Sequence, residues 1–142
     1  MDFAQFDSRT GSTIPRPMQV KHPVTGKPMF DNEAEPTGPN DKPCRVLVLG
    51  VEGQAVMAAI RAVRAEPGDK DNVERLIQYA TPLVAGFENI NRGDKPAIVP
   101  DDVSWFLRLQ VPNSNPRQRS FVEQVGDFAA DRANYLGNSL PG

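Results

Sequence analysis

The apolar positions of this chain follow two regimes. Between residues 17 and 50 they alternate with polar residues or run together at strand length, and from residue 54 onward they recur every three or four positions. Met18 and Val20 alternate with polar neighbours, His22-Pro23-Val24-Thr25-Gly26-Lys27 supplies turn residues, and Pro28-Met29-Phe30 resumes the pattern. This predicts a β-hairpin, with Gly26 where the chain needs a positive φ. Residues 31–42 are polar and punctuated by Pro36, Gly38 and Pro39, which reads as a loop. The run Cys44-Arg45-Val46-Leu47-Val48-Leu49-Gly50 is β-branched and apolar and predicts the centre of a small sheet.

The second regime predicts helices. Residues 54–65 place Val56, Ala59, Ile60 and Val63 on one side, with Arg61 and Arg64 on another, and stop at Pro67-Gly68. Val73, Leu76, Ile77, Ala80, Leu83, Val84 and Phe87 then recur at helical spacing behind Asp69, Asp71 and Glu74, whose carboxylates favour a helix N-terminus. Pro82 removes a donor to the Gln78 carbonyl and crowds it, so a kink or break is expected there. Residues 101–110 predict a shorter helix, with Val103, Phe106 and Leu107 on one side and Trp105 and Leu109 beside them. Residues 115–136 predict the longest, about 30 Å at about 1.5 Å per residue, with Asn115 as its cap and Pro116 at its first position. Its apolar stripe runs Phe121, Val125, Phe128, Ala129, Arg132, Tyr135, Leu136; Glu123, Asp127, Ala130, Asp131 and Asn134 take the wet side. Gly137-Asn138 closes it.

These segments predict an α+β, mainly α fold: a small N-terminal antiparallel β-hairpin or sheet followed by a bundle of about four helices. Residues 1–16 have no sustained period and read as a flexible N-terminal arm. Residues 17–137 form a single domain, with a β-rich part over 17–51 and a helical part over 53–137, and 138–142 are a tail.

Charge and composition narrow the function classes. The 142 residues carry 16 Lys plus Arg against 18 Asp plus Glu, so no basic field gathers nucleic acid or an anionic membrane. No apolar run approaches the roughly 20 residues that span a bilayer, and the start lacks the pattern of a signal peptide, so a soluble protein retained in the cell that makes it is expected. One cysteine, Cys44, and one histidine, His22, give neither an internal disulfide nor a clustered zinc site. A catalytic thiol at Cys44 would need a base, and His22 sits in a predicted turn beside a proline. Gly50-Val51-Glu52-Gly53 lacks the glycine spacing and the Lys-Ser/Thr of a phosphate loop. The carboxylate pairs Asp101-Asp102 and Asp127 with Asp131 read as helix-start charge and a wet face. No catalytic, cofactor-binding or metal residues are therefore assigned, and the chain is not read as an enzyme. Arg132 is the odd residue: on an apolar stripe it must snorkel, pair with a carboxylate or meet a partner.

Four stretches together resemble the tail assembly chaperone family of long-tailed bacteriophages. They are His22-Pro23-Val24-Thr25-Gly26-Lys27-Pro28, similar to the family's HPVTGEPL-like hairpin; Val46-Leu47-Val48-Leu49-Gly50; Phe87-Glu88-Asn89-Ile90, similar to its WENI-like segment; and Glu123-Gln124-Val125 with Asp131-Arg132-Ala133-Asn134-Tyr135-Leu136, similar to its EQV and DRANFL ending. Phe87 stands where the family usually has Trp, and Val51-Glu52-Gly53-Gln54 replaces an Asp-Ser opening of the first helix. The resemblance implies a non-enzymatic protein of the infected bacterium's cytoplasm, absent from the mature virion. Its implied partners are the tape measure protein, which it keeps soluble, and the tail tube protein, with self-association as a further expectation. In many relatives a programmed frameshift makes a longer second product; this chain would be the shorter one. Helix-in-groove docking along the last helix, or beside the kinked second one, would cover the tape measure's apolar stripes reversibly. Candidate anchors are Phe87, Trp105, Phe121 and Phe128, with Arg132 beside them. The alternative is a structural virion component, such as a small head-tail connector or a tail-completion protein.

Overall fold

A computed structural model describes residues 1–32, 38–68, 71–113 and 115–136. A 3-10 turn, Phe3–Phe6, and α1, Ser8–Gly11, precede β1, Arg16–Gln19. After β2, Arg45–Val48, come α2, Gln54–Ala65, and α3, Asn72–Ala80. A 3-10 turn, Thr81–Leu83, then leads into β3, Val84–Glu88. β4, Asn91–Arg92, pairs with β5, Lys95–Pro96; α4, Val103–Leu107, and α5, Phe121–Ala130, follow, and a last 3-10 turn spans Arg132–Tyr135. Residues 1–16 thus carry two helical turns, in which Ser8 and Ser12 are buried and the Gly50 N–H donates to the Ser12 carbonyl.

The expected N-terminal hairpin followed by a helical bundle is overturned: the strands are spread through the chain. An antiparallel sheet of order β1-β2-β3 has β2 at its centre, with Met18, Val46 and Phe87 in one cross-strand row and Arg16, Val48 and Val84 in another. Val46 and Val48 are fully buried, α5 packs on β2, and α3 and α4 pack on α5. Alternation along β2 turns Val46 and Val48 to this helical layer and leaves Leu47 half-buried on the other face.

Pro82 explains the largest departure from expectation. The apolar spacing runs unbroken to Phe87, but a proline in the third turn forbids the helix, and residues after it become extended and supply the third strand. The hairpin over residues 20–29 exists only as a short appendage of the sheet, closed by the Lys21–Pro28 bridge and by a ring in which the Val20 N–H donates to the Cys44 carbonyl, the Cys44 N–H to the Met29 carbonyl and the Met29 N–H to the Val20 carbonyl. Gly26 has φ 73°, as its place in the turn requires.

The last helix is also shorter than predicted. Asn115 makes a local turn, accepting from the Arg117 N–H at 2.9 Å, and the helix begins at Phe121 behind a capping box formed by Ser120 and Glu123. It ends at Ala130, where Asp131 turns extended and caps the following 3-10 turn through the Ala133 N–H. Arg132 therefore leaves the stripe that uninterrupted helical stepping assigns it. The buried residues of α5 are Val122, Glu123, Val125 and Ala129, so Glu123, expected on the wet side, is inside. The expected cap at Gly137-Asn138, the tail, Asp69 and Pro36 lie outside the described residues.

Candidate interaction surface

A cleft of about 540 Å³ opens between the 22–27 turn and α5. Its walls are fixed from both sides. In the turn, the His22 N–H donates to the Lys27 carbonyl and the Gly26 N–H to the His22 carbonyl, both at 2.8 Å. The His22 Nδ1 accepts from the Val24 and Thr25 N–H groups at 3.1 and 3.2 Å, so the ring folds over its own turn. On α5, Gln124 acts as a surrogate strand: its Oε1 accepts from the Lys21 N–H at 2.9 Å, and its Nε2 donates to the Lys21 carbonyl at 2.9 Å and the Arg119 carbonyl at 3.0 Å. Gln124→Ala should cost about 1–2 kcal/mol, the size of a few exposed backbone contacts. Hydrogen exchange should show the Lys21 amide deprotected well before global unfolding; an unchanged rate would mean that the turn holds itself.

Met18 and Phe128 form the apolar floor of the cleft, and Lys21, Arg117, Arg119, Asp127 and Asp131 stand on its rim. The rim charges are not equivalent. Arg119 reaches Glu123 at 2.7 Å and Asp127 at 2.9 Å, and its Nε and Nη2 donate to both Asp127 oxygens. Lys21 and Arg117 are exposed and their side chains meet no hydrogen-bond or ionic partner among the described residues. Glu123 lies behind this rim: burial pushes its pKa up, but the Ser120 N–H and hydroxyl, the Asn113 N–H and Arg119 outweigh that and hold it below the usual value.

The residues expected to anchor a partner are distributed unevenly. Phe87 and Phe121 are half-buried on either side of Phe106, edge-on at 5.2 Å and stacked at 4.9 Å, which joins them to the core. Trp105 is half-buried beneath Arg92, whose guanidinium lies 5.3 Å from the ring centre and pairs with Asp102 at 3.1 Å. Phe128 alone of the five lines the cleft, its ring edge-on to Tyr135 at 6.0 Å. Arg132 is 68% exposed and donates to Glu52 at 2.7 Å, where the Ser8 hydroxyl also donates at 2.9 Å. Hydrogen bonding from Arg132, then from Ser8, lowers the Glu52 pKa. Glu52 thereby joins the N-terminal turns, through Ser8, to the 3-10 turn over Arg132–Tyr135. Lys21 and Gln124 escape a sequence reading as site residues, because contacts between a side chain and a backbone 103 residues away leave no periodic signal, and Arg117 escapes it because it lies in a turn rather than on a helix face.

Two further surfaces expose apolar side chains. Phe3 and Phe6 meet edge-on at 5.4 Å while 72% and 51% exposed, and Val24 and Val111 line a groove of about 320 Å³ that carries no charged residue. Cys44 donates its thiol to the Asn89 carbonyl at 3.1 Å, and burial raises its pKa. Among the described residues no cluster of three or more His, Cys, Asp or Glu could hold a metal ion, and no helix is long and apolar enough to cross a membrane. No protein-family model, curated protein sequence or solved structure matches the chain.

Proposed function

We propose that this chain is a bacteriophage tail assembly chaperone: it binds the tape measure protein, keeps it soluble and helps recruit tail tube subunits, then leaves before the virion is complete. It acts in the cytoplasm of the infected bacterium by binding alone, with no catalytic group or cofactor. The observation that carries the reading is that the stretches bearing the family likeness, far apart in sequence, supply side chains that join the elements of the fold, to one another or to residues beside them. Gln124 of EQV clasps the HPVTGKP turn through Lys21. Tyr135 of DRANYL donates to the Val48 carbonyl of VLVLG at 2.9 Å. Asn89 of FENI, at φ 59°, donates to the Pro43 carbonyl at 2.9 Å, and its carbonyl accepts from the Cys44 thiol, just before that same strand. A chance likeness has no reason to select the residues that hold the elements together, whereas a shared fold does.

The chemistry suits reversible cover for an apolar helix. A cleft of this size takes one or two side chains rather than a whole stripe, so many weak contacts can be made and released. Co-expression is the test. The tape measure protein should be soluble when this chain is present and insoluble without it, and mass spectrometry of purified particles should not find this chain. A fixed copy number in particles would instead identify a structural virion component, and a tape measure indifferent to this chain would refute the chaperone role.

A further inference from the structure

We infer that the cleft between the 22–27 turn and α5 selects an acidic partner segment, one in which an apolar side chain or two is flanked by Asp or Glu. The apolar groups would sit on Met18 and Phe128, and the carboxylates would meet Lys21 and Arg117. The charge pattern of the rim points this way. Asp127 is engaged at both oxygens by Arg119, Arg119 is shared further with Glu123, and Asp131 caps the Ala133 N–H. The two rim charges whose side chains meet no hydrogen-bond or ionic partner among the described residues are both cationic. The Lys21 and Arg117 side chains have no hydrogen-bond or ionic partner among the described residues, although the chain as a whole carries net charge −2, so general basicity does not account for two unpartnered cations beside one cleft.

The apolar floor supplies attraction and the rim supplies sign. Rim charges contribute modestly to affinity but strongly to encounter and to the rejection of wrong partners, because placing like charge against Lys21 and Arg117 is unfavourable while water and salt screen the favourable case. A basic amphipathic segment is thereby excluded even when its apolar spacing fits. The Phe3–Phe6 surface and the Val24–Val111 groove offer no such discrimination. The inference rests on the chaperone reading only for which protein carries the segment.

The probes are two short synthetic peptides with the same Leu-Phe centre, one flanked by Glu and the other by Lys, titrated against the full chain by fluorescence anisotropy. The acidic peptide should bind roughly tenfold tighter, with a preference that fades as salt rises. The double variant Lys21→Glu with Arg117→Glu should lose or invert that preference. Arg61→Glu with Lys95→Glu makes the same charge change at exposed positions that do not line the cleft, and should leave it intact. Both variants change exposed side chains, and unchanged circular dichroism and melting temperature will confirm their folding. Equal binding of the two peptides to the unaltered chain, or a preference surviving in Lys21→Glu with Arg117→Glu, would overturn the inference. So would sedimentation showing a dimer that this double variant dissociates, since the occupant would then be a second copy. If neither peptide binds while the tape measure is still solubilised, the cleft inference fails and the chaperone reading stands. If the acidic peptide is preferred while the tape measure stays insoluble, the chaperone reading fails and the cleft inference stands.

Discussion

Tyr135→Ala should destabilise the protein by about 3–5 kcal/mol, the range for deleting a fully buried aromatic side chain. Tyr135 is 1% exposed, its ring packs edge-on to Phe128, and its hydroxyl donates to the Val48 carbonyl at 2.9 Å. Val48 stands at the register shift between β2 and β3, so this hydrogen bond braces the sheet where its ladder is irregular. The segment is held from the other side as well: a Cβ at Gly11 would overlap the Tyr135 carbonyl, a contact that only glycine permits. Tyr135→Phe isolates the hydroxyl and should cost about 1–2 kcal/mol, because the Val48 carbonyl then loses its phenolic donor inside the core. Urea denaturation at neutral pH reads both. Burial raises the phenol pKa, which adds a second signature. The folded state keeps a proton that the unfolded state releases near pH 10, so stability contributed by this group is constant below that value and falls as pH rises beyond it. Tyr135→Phe should abolish that alkaline loss. A Tyr135→Ala variant as stable as the parent would mean that the last 3-10 turn does not belong to the cooperative unit.

The contrast between what is readable in the sequence and what is not follows from the range of the interactions. Val46-Leu47-Val48 announces a central strand because β-branched residues with buried alternation need no distant information. Asp71 before Val73 and Leu76 likewise announces α3, and its carboxylate accepts from the Glu74 N–H at 2.7 Å. The strand at Val84–Glu88 is hidden because its apolar residues coincide with a helical period, so only the strength of the Pro82 interruption could decide, and pairing with β2 makes the extended form the stable one. On α5 two local signals compete. Asn115-Pro116 is a fair helix start, but Ser120-Phe121-Val122-Glu123 satisfies the first-turn donors reciprocally and wins. Asp131 then resets the chain, which is why Arg132 pairs with Glu52 rather than sharing a face with Phe128. The cleft is half legible. Phe128 can be placed on an apolar face, whereas Lys21 sits beside a turn that the Gln124 clasp brings alongside α5, and Arg117 on the loop that leads into it.

Glu123→Ala should cost about 2–4 kcal/mol, more than its place one turn into a helix suggests. The side chain is 8% exposed and accepts from the Ser120 N–H at 3.1 Å, the Ser120 hydroxyl at 2.8 Å and the Asn113 N–H at 3.2 Å, with Arg119 at 2.7 Å. Truncation leaves these donors without their acceptor, frees the segment before α5 from the helix start, and releases Arg119 toward Asp127 alone. The pH dependence separates this role from ordinary packing. Burial works to raise the carboxyl pKa, the hydrogen bonds and Arg119 lower it further than burial lifts it, and the folded value ends below the unfolded one near 4.5. The stabilisation is therefore fully present above about pH 4.5 and is lost as pH falls through the depressed folded value. Glu123→Gln keeps the shape but not the charge. Its stability deficit relative to the parent should be largest near neutrality and should shrink as pH falls below about 4.5, through the depressed folded value at which the parent's carboxylate takes up its proton. Parallel urea midpoints for parent and Glu123→Gln across that range would show instead that Glu123 contributes only its volume, and the capping box would lose its standing as the electrostatic anchor of α5.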